Sequence, residues 1–173
     1  MKNIILIGFM GVGKTTIGRR VSAELKIDFY DTDEYIKKCE RMPVHELLQK
    51  KGPKYFEGSQ RFAVSTLAQN EGVLISTGGD TVMDAFNVEE LQKNGILVWL
   101  KASGETIYKN TRNSATKRPG LFRATKEEID EMITLREPFY QKADIVIDVD
   151  HCEIDEAARE IVRRYKALST DKQ

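Results

Sequence analysis

The chain has 173 residues, enough for one domain whose core needs neither disulfides nor a metal to hold it together. Its 27 basic and 27 acidic side chains cancel, no Lys/Arg block is long enough to form a nucleic-acid or membrane patch, and no apolar run approaches the roughly 20 residues of a bilayer span. Cys39 and Cys152 lack metal-ligand spacing and Met1-Lys2 leads into a strand-like run rather than a signal peptide, so the expectation is a reduced, cytoplasmic protein, a monomer by default, with no nucleic-acid or membrane partner.

Asn3 to Ile7 is almost wholly apolar and rich in β-branched residues, as a strand covered on both faces should be. A glycine-rich turn follows, and Ile17, Val21 and Leu25 then form one stripe of a helix over Lys14 to Leu25. Phe29-Tyr30 ends in Asp31-Thr32-Asp33. Tyr35 and Ile36 begin a helix that stops at Met42-Pro43, and Val44 to Gln49 reads as a further short helix. Beyond Gly52-Pro53 a long amphipathic segment leads to the strand Val73 to Ser76, which ends at Gly78-Gly79. Asn87 to Lys93 reads as helix, Gly95 as its stop, and Ile96 to Leu100 as a buried strand that takes Trp99 into the core. Asn110 to Arg123, rich in polar and basic residues with Pro119-Gly120, reads as a mobile loop. Thr125 and Glu128 predict a capping box for a helix to about Leu135, Asp144 to Ile147 a last strand, and Ile154 to Tyr165 a last helix. Strands alternating with helices predict a mostly parallel, doubly wound α/β sheet.

Chemistry concentrates first in Gly8-Phe9-Met10-Gly11-Val12-Gly13-Lys14-Thr15, the pattern G-x-x-x-x-G-K-T between a strand and a helix. Glycines let backbone N–H groups face phosphates, the helix N-terminus adds partial positive charge, Lys14 can reach the β- and γ-phosphates, and Thr15 can ligate Mg²⁺. Gly11, Val12, Gly13, Lys14, Thr15 and Thr16 are thus the candidate contacts to ATP. Asp31 and Asp33, one residue apart at the end of the second strand, would point the same way if extended, one toward Mg²⁺ and one toward an acceptor hydroxyl. The plainer reading of the pair is a helix cap, since Asp is a common N-cap residue. His45 and His151 are read as lone surface or capping groups, and Met10 as a packing residue near the nucleotide.

Together with Thr16-Ile17-Gly18-Arg19, Thr77-Gly78-Gly79, Arg118-Pro119 and Leu135-Arg136-Glu137-Pro138-Phe139-Tyr140, these motifs resemble, in order and spacing, the shikimate kinase family over nearly the whole chain. The resemblance implies a three-layer α/β/α P-loop fold with a five-stranded parallel sheet. It implies one kinase domain over residues 1–168 with a polar tail at 169–173, a helical acceptor-binding region near 33–61, and a mobile lid near 111–124. It implies ATP and Mg²⁺ as cofactors and a hydroxyl of a small metabolite, by default shikimate, as phosphoryl acceptor. By the same resemblance Lys14, Asp33 and Arg118 are catalytic, Thr15 and Asp31 serve the metal, and Arg136 meets the acceptor's carboxylate alongside Gly78 and Gly79.

Four positions depart from that pattern. Glu57 stands where the family has an arginine for the acceptor's carboxylate, Asp80 replaces the third glycine, Asn110 stands in place of an adenine-stacking arginine with Arg112 as a substitute, and Gly120 replaces a leucine. Carboxylate facing carboxylate is repulsive, so Glu57 and Asp80 raise an alternative acceptor that carries an amine, such as a hydroxy-amino acid or amino alcohol. A non-catalytic nucleotide-binding regulator is a further alternative, as is a nucleoside-monophosphate kinase.

Overall fold

β1 (Asn3–Ile7) is buried along its whole length, and its alternate residues feed two separate cores. Ile4 and Leu6 pack with Ile17 and Val21 of α1 (Lys14–Leu25) and with Ala157, Ala158 and Ile161 of α7 (Ile154–Thr170). Ile5 and Ile7 pack with Val64 and Leu67 of α3 (Val44–Ala68) and with Val88 and Leu91 of α4 (Ala85–Lys93). Period-two alternation with helices on both faces makes three layers, and each such buried aliphatic side chain contributes about 1.5–3 kcal/mol.

The computed structural model describes residues 1–113 and 121–170. Besides those elements it contains β2 (Phe29–Asp31), α2 (Thr32–Glu40), β3 (Leu74–Ser76), β4 (Gly95–Lys101), α5 (Gly104–Asn113), α6 (Lys126–Tyr140) and β5 (Ile145–Asp148). All strand pairs are parallel and the order across the sheet is β2-β3-β1-β4-β5. In this register Leu6 of β1, Ser76 of β3 and Asp31 of β2 lie level. The segments that follow them therefore leave the sheet at one carboxyl edge, where open α/β sheets bind ligands.

Several elements differ from the sequence-based expectation. The second helix starts at Thr32, because Asp31 caps it by accepting from the N–H groups of Asp33 and Glu34. The break expected at Gly52-Pro53 is present inside α3: Gly52 leaves helical geometry with φ 83°, and Pro53 starts the second arm, which runs on to Ala68. Gly95 opens β4 instead of stopping the preceding helix, which ends at Lys93 with Asn94 as its C-cap. Residues 110–113, expected as loop, are the last turn of α5, and residues 114–120 of the expected lid lie outside the described residues. The capping box of Thr125 and Glu128 is present, and its helix runs past Leu135 to Tyr140 with Pro138 inside it. The last helix likewise runs on through residues expected as frayed tail, to Thr170. Among the described residues no helix is long and apolar enough to cross a membrane.

Candidate active site

The loop from Gly8 to Gly13 joins β1 to α1 through three left-handed glycines, with φ of 147°, 84° and 106° at Gly8, Gly11 and Gly13. A side chain at these angles is strained, and a Cβ on Gly8 would also lie 2.7 Å from the Leu100 carbonyl oxygen. No side chain caps α1 and its first turn carries no acid, so its leading amides and partial positive charge face the loop's mouth. Lys14 is only 8 % exposed, and its Nζ donates to the carbonyls of Gly8 at 2.6 Å and Phe9 at 3.0 Å. The ammonium thus lies over a ring of backbone dipoles. Asn110 of α5 donates to the Gly11 carbonyl at 2.9 Å and ties that helix to the loop.

The helix-cap reading holds for Asp31, and the cap uses only one of its two oxygens. Its Oδ1 caps α2, while its Oδ2 accepts from the Thr15 hydroxyl at 3.3 Å. Thr15 and Asp31 therefore bring two hard oxygens together at the mouth of the phosphate loop, the donor type that Mg²⁺ prefers. Asp33, one residue into α2, does not share Asp31's extended backbone. Its carboxylate lies against Gly78, where an added Cβ would come within 2.8 Å of Oδ1. Thr32, fully buried between them, accepts from the Gly78 N–H at 3.0 Å and locks α2 to the glycine segment.

On the opposite side of that segment stands α6. Arg136 donates from Nε to Asp80 Oδ1 at 2.8 Å, and its guanidinium lies over the Phe9 ring at 5.2 Å from the centroid. One turn on, the Tyr140 hydroxyl donates to the Gly79 carbonyl at 2.9 Å. Burial pushes that phenol far above its ordinary range, with Arg136 opposing and Asp80 adding to the shift, so it stays a neutral donor. Phosphate loop, glycine segment and α6 thus converge through Phe9, Gly79, Asp80 and Arg136.

Glu57, expected to face the acceptor, has a cation of its own chain beside it. Its oxygen pairs with Arg61 one turn along α3, at 3.1 Å, and its side chain is 54 % exposed. Arg61 also makes two hydrogen bonds to Asp84, at 2.6 and 3.1 Å, and Asp84 caps α4. Arg112 faces the turn that precedes α6: it donates to the carbonyls of Phe122 and of Ala124, the latter at 3.0 Å, and stacks on Tyr108 and Phe122. The hydrogen bond from α5 to the phosphate loop comes from Asn110 and not from Arg112, and Ile107 and Thr111 lie against Gly11 beside it. Arg118 and Gly120 lie outside the described residues.

Residues 10–166 match the protein-family model described as shikimate kinase. This chain belongs to the shikimate kinase family. A shikimate kinase of Caldanaerobacter subterraneus subsp. tengcongensis is 39 % identical over 168 residues, covering 97 % of this chain and 98 % of that protein. Among solved structures, a shikimate kinase from Bacteroides thetaiotaomicron superposes with a TM-score of 0.85 at 29 % identity, covering 98 % of each chain. One from Acinetobacter baumannii, in complex with shikimate, superposes with 0.88 at 26 %, covering 100 % of this chain and 96 % of that one.

Within this member of the shikimate kinase family, sequence reasoning missed Thr32, Gln60 and Arg61. Gln60 is buried, donates to the Thr81 hydroxyl at 3.2 Å and accepts from Asn87 at 3.2 Å, which fixes the short turn Thr81–Met83 behind Asp80. An available signal was the polar side chain on an otherwise apolar helical stripe with Ala63, Val64 and Leu67. Arg61 carried a signal too, standing one turn after a glutamate where such pairs form.

Proposed function

We propose that this chain transfers the γ-phosphoryl group of ATP to a hydroxyl of shikimate, giving ADP and shikimate 3-phosphate. The observation that carries the reading is the meeting, at one sheet edge, of the Lys14 loop, the Thr15–Asp31 pair, the Asp33 carboxylate on Gly78 and the Arg136 guanidinium. Phosphoryl transfer demands positioning and charge stabilisation more than covalent chemistry, and these groups supply both. The amides of Gly11 to Thr16 cradle the triphosphate, and Lys14 balances charge on its terminal groups. Thr15 and Asp31 are the residues that would hold Mg²⁺, which would supply charge neutralisation to the phosphates. Asp33 orients the attacking hydroxyl and accepts its proton as the new P–O bond forms and the bond to the ADP oxygen breaks. Arg136 receives the acceptor's carboxylate, and Arg118 supplies a cation from the 111–124 segment. The fold family's other use of such a loop, in nucleoside-monophosphate kinases, does not account for the Leu135 to Tyr140 motif.

Asp80 beside Arg136 favours one second reading: a zwitterionic hydroxy-amino acid could place its carboxylate on Arg136 and its ammonium on Asp80. Coupled ADP release over shikimate, amino alcohols and hydroxy-amino acids decides between them. Turnover of shikimate with the amines idle is the expected result, and turnover of an amine-bearing acceptor alone would overturn it.

A further inference from the structure

Asp80 sits at the head of the short turn Thr81–Met83, the place where an aspartate ordinarily folds its carboxylate back to cap its own turn. It does not cap it. The carboxylate crosses instead to α6 and accepts from Arg136 Nε at 2.8 Å. The two partners are unequally held. Arg136 is 19 % exposed and lies over Phe9, whereas Asp80 is 50 % exposed at the side chain and can turn into water while keeping its backbone hydrogen bond to Met83 N–H.

We infer that Asp80 is a built-in competitor for the acceptor's anionic group: it occupies Arg136 until an acceptor that bears a carboxylate displaces it. The inference rests on the reading of Arg136 as the acceptor's carboxylate site. Displacement exchanges one carboxylate for another on a guanidinium that stays in place, so the apparent affinity is lowered by the fraction of molecules in which the pair is closed. A neutral polyol has nothing to offer Arg136 and leaves the pair shut. The substitution at the third glycine thus raises the threshold for acceptors while sharpening the demand for a carboxylate.

The test compares wild type with Asp80→Ala and Asp80→Asn. A half-exposed pair of this kind predicts a KM for shikimate about two- to fivefold lower in D80A, with D80N between, and no such gain for shikimate methyl ester. A KM that stays or rises in D80A overturns the inference, because Asp80 would then be aligning Arg136. An equal gain for the ester overturns it too, because relief of bulk would be the cause. Turnover is not required for the second arm: titration with cyclohexanecarboxylate, followed by calorimetry and by the Arg136 Nε–H resonance, should show two- to fivefold tighter binding in D80A and a resonance altered in the free protein. Identical Nε–H resonances in wild type and both variants would refute the pair. If wild type leaves shikimate untouched, the proposed function fails while this arm still decides on Asp80.

Discussion

The nucleotide side and the acceptor side of the cleft are built from different materials. The phosphate loop is backbone: three left-handed glycines, a helix start without a capping side chain, and a lysine held by two main-chain carbonyls. The side proposed for the acceptor is side chains that answer one another, Asp80 with Arg136, and Arg61 with both Glu57 and Asp84. Backbone recognition tolerates no change of residue type at its glycines, because conformation is the function. Side-chain recognition can absorb a reversed charge when a partner lies within reach, and Arg61 is such a partner for Glu57.

The largest effect should come from the backbone side. Lys14→Met removes the cation over the loop and should cut kcat in an ADP-release assay by at least about a hundredfold. Asp33→Asn should also lower kcat about a hundredfold, while calorimetry finds the affinity for ATP unaltered. A matching loss of ATP affinity would erase the division into two sides. Gln60→Leu strips the partner from Thr81 and Asn87 in a buried network, and chemical denaturation should register a loss of about 1–3 kcal/mol.

The smallest effect sharpens the comparison most. Arg61→Ala should lower the melting temperature at neutral pH only slightly, because the pairs it makes are partly solvated. It should nevertheless change the acid limb of stability. Arg61's hydrogen bonds hold the Asp84 carboxyl below its ordinary range against the opposing effect of burial. A depressed folded-state value means stability that is present above the ordinary carboxylate range and lost as pH falls through the folded value. Thermal melts of Arg61→Ala below about pH 4 should therefore fall less steeply than those of wild type.

How legible each part was follows from the same division. The glycine spacing of the loop encodes its own conformation, so β1, the loop and α1 could be read to the residue. The helix α5 was hidden, since its buried positions are Gly104, Ile107 and Thr111, a single aliphatic among residues of little apolar signal, and Thr111 satisfies its hydroxyl on the Ile107 carbonyl. The expected end of α6 near Leu135 fell short, because the burial of Tyr140 and its bond to Gly79, which no local pattern shows, accompany the helix through Pro138. The charged residues of the acceptor side were visible as residues but not as pairs. Asp80 and Arg136 are 56 positions apart and Arg61 and Asp84 are 23 apart, distances over which no local periodicity speaks.

Asp31 spends its two oxygens on different tasks, one at the start of α2 and the other beside Thr15. A single residue is therefore helix cap and partner of Thr15 at once. Any substitution that spares one duty spoils the other, so the start of α2 and the pair proposed for the cation cannot be retuned independently, and improvement of either must come from neighbours that leave this carboxylate alone.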